Sequence, residues 1–173
     1  RGPSADRRAV RSSSKSDAAT DGEEELEGDR NPVVSTTKQS ELQTQLSRAK
    51  TLQHLTELCE KHGESFDQVN TVTALHRLAK LGLTAKDLEG RSSVQALLKQ
   101  LALLLPATSP RGLSNVAWAL AKVQKADPEV LEALGTQVRL RIADFTPKDT
   151  TMLAWSCRRL RWEDGPLLGV LAM

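Results

Sequence analysis

The sequence predicts an all-α protein, an α-solenoid of stacked helical hairpins, on three observations. A nine-residue phrase recurs as Thr73-Ala74-Leu75-His76-Arg77-Leu78-Ala79-Lys80-Leu81, Asn115-Val116-Ala117-Trp118-Ala119-Leu120-Ala121-Lys122-Val123 and Met152-Leu153-Ala154-Trp155-Ser156-Cys157-Arg158-Arg159-Leu160. The match extends outward without gaps: Phe66, Thr108 and Phe145 coincide, as do Gln68, Pro110 and Pro147, then His76, Trp118 and Trp155, at intervals of 42 and 37 residues. Such periods mark units that bury their apolar faces only against neighbouring units. Strand signals are nearly absent, since the β-branched clusters at 32–37 and 69–73 fall in a polar tail and within helical periodicity. A single bundle is the competing shape, and the repetition argues against it.

Residues 1–39 read as a disordered tail or linker. Positions 1–20 are rich in Arg and Ser, 21–29 form an acidic block, and neither holds enough large apolar side chains to offset the entropy of folding. Two readings stay open: the end of an organelle transit peptide, which is Arg- and Ser-rich but poor in acid, or a linker, which suits the acidic block better. The repeat domain is expected over 40–173, truncated at its C-terminus because Met173 interrupts a helix begun at Pro166-Leu167-Leu168.

Within it, Ser40 is expected to N-cap a helix carrying Leu42, Leu46, Ala49, Leu52, Leu55 and Leu58 on one stripe, ending at Gly63. A second helix runs from Phe66 to Leu81 and closes at Gly82. The next spans Ala85 to Leu105, with Leu88, Val94, Leu97, Leu98, Leu101 and Leu104 facing the core, Gly90 a weak point or delayed start, and Pro106 the stop. The extra length of the first interval is assigned to residues 103–106. Ser109-Pro110, Asp127-Pro128 and Thr146-Pro147 then open three helices with an N-cap followed by proline, the last strengthened by Asp149. Trp118 and Trp155 read as core residues supplying area to contacts between units, with base stacking the alternative.

Composition excludes several function classes. No apolar run approaches the roughly 18 residues of a membrane span. Net charge is +2, and 17 Lys and Arg against 14 Asp and Glu from Ser40 onward leave the folded part at +3, so any electrostatic argument rests on placement. Cys59 and Cys157 are too few for a disulfide framework, and Cys59-Glu60-Lys61-His62 lacks a second ligand pair, so no metal or other cofactor is expected. No phosphate loop, paired carboxylates or activated nucleophile appears, and the expectation is a non-enzyme.

The phrase around Ser114 to Val123, preceded by Ser109-Pro110, resembles the centre of the octotricopeptide repeat, a helical-pair repeat of organelle RNA-binding proteins. The segment from Ser47 to Leu81 is similar to the stretch that often leads into such repeats. Repeat one departs with His76 in place of tryptophan, and repeat three with Cys157-Arg158-Arg159. The resemblance implies sequence-selective binding of single-stranded RNA in a chloroplast or mitochondrion, supporting transcript stability, processing, splicing or translation.

Independently, every unit carries a cation at one register, Lys80, Lys122 and Arg159, with Arg77 and Arg158 close by. Cations repeated once per unit follow a phosphate backbone. Asn70, Thr73, Arg111, Asn115, Lys148 and Thr151 vary near the helix starts, as base-reading positions on a constant frame would. A structural alternative is that last-turn cations only complement the helix dipole. The competing function is a protein-interaction scaffold, for example an organelle ribosome subunit.

Overall fold

Local capping chemistry divides the chain into helices. In the computed structural model, which describes residues 37–125 and 127–171, these are α1 (Thr37–Arg48), α2 (Leu52–His62), α3 (Gln68–Lys80), α4 (Ala85–Glu89), α5 (Ser92–Leu104), α6 (Pro110–Val123), α7 (Pro128–Arg141), α8 (Pro147–Leu160) and α9 (Gly165–Leu171). The described residues contain no strand. Of the tail expected over 1–39, residues 1–36 lie outside them, and 37–39 belong instead to α1.

The three phrase helices, α3, α6 and α8, match bond for bond. Phe66, Thr108 and Phe145 each follow a three-residue 3-10 turn and donate their N–H to its first carbonyl, that of Gly63, Leu105 or Ile142, at 3.1, 3.0 and 3.2 Å. The next residues, Asp67, Ser109 and Thr146, are the N-caps, accepting from the N–H of Asn70, Gly112 and Asp149 at 2.8, 3.1 and 3.3 Å. Each helix closes through a left-handed residue, Gly82, Gln124 or Arg161 (φ 90, 58 and 52°). The following N–H groups of Leu83, Lys125 and Trp162 then reach back to the carbonyls of Leu78, Leu120 and Cys157 at 3.0, 3.0 and 2.9 Å. Starts and stops therefore fall at the same places in all three.

Packing sorts the helices into two layers. Helices α1, α3, α6 and α8 contact one another in that order, and α2, α5, α7 and α9 do the same alongside them. Side chains of the second layer tie each unit to the turn of the one before. The Gln100 amide donates to the Phe66 carbonyl at 3.0 Å, and the Arg141 guanidinium donates to the carbonyls of Thr108 and Leu105 at 2.7 and 3.2 Å. Leu46, Leu55, Leu75, Leu78, Leu101, Leu105, Leu113, Leu120, Leu134 and Leu153 are fully buried between the layers.

Three sequence expectations are corrected. The helix expected from Ser40 to Gly63 is two helices, and it starts at Thr37, so Ser40 lies inside α1 with its carbonyl accepting from Thr44. The apolar spacing runs unbroken through Ala49 and Leu52, but the Thr51 hydroxyl caps α2 by accepting from the His54 N–H at 3.2 Å. The break sends α1 into one layer and α2 into the other. The extra five residues of the first interval do not lie at 103–106, where the chain makes the same 3-10 turn as elsewhere. They form α4, held by a reciprocal Thr84/Asp87 capping box and ended at Gly90.

Two substitutions test this frame by urea denaturation. Gln124→Gly, which relieves a left-handed side-chain residue, should raise stability by about 1 kcal/mol. Leu120→Ala, which opens a cavity between the layers, should cost roughly 2–5 kcal/mol.

Candidate nucleic-acid interface

Because α3, α6 and α8 share a register and pack in series, residues spaced four, three and four along each helix line up as a stripe. The stripes read Val69, Thr73, His76, Lys80 on α3; Arg111, Asn115, Trp118, Lys122 on α6; and Lys148, Met152, Trp155, Arg159 on α8. Across the helices they give a cation row (Lys80, Lys122, Arg159), an aromatic row (His76, Trp118, Trp155) and, toward the helix starts, Arg111 and Lys148.

Helix α6 shows how selective this face is. Packed between α3 and α8, it buries ten of its fourteen residues, and only Pro110, Arg111, Trp118 and Lys122 escape. Three of these four are the stripe's cations and its tryptophan. The His76 and Trp118 rings stack with centroids 4.7 Å apart and planes tilted by 33°. The Lys122 ammonium sits 5.4 Å from the Trp118 ring centroid, within cation–π range. Lys80, Lys122 and Arg159 are all exposed. Burial, together with the nearby charges of Lys80, Arg77 and Arg111, pulls the His76 pKa down to about 4, so the ring is neutral at pH 7.

The remaining sequence candidates divide. Asn70 is 1% exposed, and its side-chain N–H groups donate to the Gln39 carbonyl and Gln43 Oε1 of α1 at 3.1 and 3.2 Å. Thr73 is also buried, accepting from the Gln43 amide at 3.0 Å. The Arg77 guanidinium donates to the Ala49 carbonyl at the end of α1. These three join α1 to α3 and are withdrawn as surface contacts: the polarity read as base recognition serves a helix–helix seam. Asn115 is buried on the α6 stripe. Thr151 is exposed, but its hydroxyl donates to the Pro147 carbonyl at 2.8 Å. It occupies the place of Ser114, and Arg158 that of Ala121, so both lie on the flank of α8 beside the stripe. Arg111, Lys148 and the three-cation row share the stripe.

One member of the aromatic row departs from the residue-level reading. Trp155 is 44% exposed, so its core assignment is corrected, while Trp118 is partly buried and packs against the core and against His76 of the neighbouring unit, as the sequence reading has it. The available signal was the place of Trp155 four residues before Arg159, which puts ring and charge on one helix face.

Other chemistry is not assembled in the described residues. Cys59 and Cys157 are buried, which pushes their thiols up to about 12 and about 11. No group of His, Cys, Asp and Glu is placed to hold a metal ion, and no helix is long and apolar enough to cross a membrane, among the described residues. No family model, curated protein or solved structure matches this chain.

His76 supplies a test of the local electrostatics. Its folded pKa lies below the ordinary value of 6.5, so the unfolded chain takes up the proton first on acidification. Stability is then full above about pH 6.5 and falls toward pH 4, by about 2 kcal/mol between pH 7 and pH 5. Urea titrations at the two pH values should show His76→Gln losing most of that difference. An unchanged difference would contradict the burial of a neutral ring.

Proposed function

We propose that the two layers are a segment of an α-solenoid that binds single-stranded RNA across α3, α6 and α8. The observation that carries this reading is the exposed cation at the same register on three successive packed helices. A flexible phosphate backbone laid across the layer meets one charge per helix, and each neutralised phosphate releases a counterion. The phrase's resemblance to octotricopeptide repeats supports the same reading and extends it to sequence-selective binding of chloroplast or mitochondrial transcripts in their stability, processing, splicing or translation. Such a role needs no catalytic group.

One observation favours the alternative, a protein-interaction scaffold. Leu103 and Leu140, 81% and 73% exposed, occupy equivalent places on the neighbouring helices α5 and α7 of the other layer. That face suits a protein contact, whereas the stripe face is cationic. The two readings use different surfaces.

Binding of a fluorescent single-stranded RNA, measured by anisotropy over a salt series, tests the proposal. Replacing Lys80, Lys122 and Arg159 together with Gln should weaken binding at least about tenfold at moderate salt and reduce the slope of log K against log salt by roughly 2. Equal affinity and slope for the triple variant would refute the proposed face.

A further inference from the structure

We infer that the step between α6 and α8 is a base-stacking slot, in which Trp118 and Trp155 receive one unpaired nucleobase while the flanking cations hold its phosphates. This rests on the RNA-binding reading and adds a recognition element to it.

The aromatic row has three members but two unlike steps. Between α3 and α6, His76 and Trp118 already stack on each other, which fills that step. Between α6 and α8, no ring contact joins Trp118 to Trp155, although the two occupy the same register on helices that pack directly against each other. Trp155 therefore has no ring partner of its own among the described residues. Trp155 presents nearly half of its surface to solvent. It lies on an open face of α8, where Thr151, Ala154, Arg158 and Arg159 are exposed as well.

The chemistry around the slot selects a nucleobase. Lys122 lies over Trp118 and Arg159 follows Trp155 by one helical turn, while Arg111 and Lys148 stand at the other end of the same two stripes. An aromatic centre bordered at both ends by cations matches a flat π-system carried on a charged backbone. His76 backs Trp118 and fixes its ring. Being neutral at pH 7, it adds no charge that the stacked base would have to desolvate. Stacking of this kind accepts any base, so sequence selectivity would come from neighbouring contacts.

The experiment compares a single-stranded oligoadenylate with an abasic oligomer of equal length and charge, using the full chain and fluorescence anisotropy. The slot predicts that the oligoadenylate binds more tightly. Trp155→Ala and Trp118→Leu should each cost roughly 5- to 100-fold for oligoadenylate, little for the abasic strand, and leave the salt slope unchanged. Trp155 is exposed enough that its variant keeps the fold, which circular dichroism checks independently of the half-buried Trp118. Equal binding of the two oligomers, or an oligoadenylate affinity indifferent to Trp155→Ala, overturns the slot while leaving the RNA-binding face intact. Failure of both oligomers to bind the unaltered chain overturns the proposed function itself, and a protein ligand displaced by Trp155→Ala would reassign the slot to a peptide side chain.

Discussion

The close packing of α6 between α3 and α8 is the constraint on which the rest depends. It is possible because α6 is lined with small residues: Gly112, Ser114, Ala117, Ala119 and Ala121 are all buried and let both neighbours approach. The Ser114 hydroxyl donates to the Asp149 carbonyl of α8 at 3.3 Å, so the contact is pinned by a hydrogen bond as well as by area. With N-caps and left-handed closures at matching places, packing in series also means packing in register. The last-turn cation of each stripe is left exposed, and the three fall on adjacent helices.

That geometry turns a modest charge into a pattern. A net +2 has little long-range pull, and at physiological salt the screening length is about 8 Å. What matters is that Lys80, Lys122 and Arg159 stand on adjacent helices and share a face with His76, Trp118 and Trp155. Burial, with Lys80, Arg77 and Arg111 nearby, keeps His76 neutral, which links this face to stability at acidic pH. Arg77 and Arg141, which look equivalent to the surface cations in sequence, are instead consumed by backbone carbonyls at helix ends and turns.

The fold was largely legible because its determinants are local. Proline after Ser109, Asp127 and Thr146, and Gly82 after α3, announce helix ends through backbone chemistry that needs no tertiary context. The break at Thr51 was not legible, because the apolar spacing from Leu46 to Leu55 is the same whether one helix or two carry it. The site was legible in part. A cation at a repeated register is visible in sequence, but Asn70 and Thr73 are indistinguishable there from surface polar residues until α1 is seen to cover them. Trp155, within a repeated phrase, resembles core for the same reason: exposure depends on which helix lies next to it, and on that the phrase is silent.

The central claim is that RNA lies on the stripe formed by α3, α6 and α8. The chain's three tryptophans give three indole N–H signals, and Trp162, beyond the end of α8 and packed near Gly135 of α7, serves as an internal control. Titrating a single-stranded oligonucleotide while recording these signals by NMR should move Trp118 and Trp155 and leave Trp162 in place. Movement of Trp162 alone, or no movement of any of the three at saturating RNA, would contradict the account.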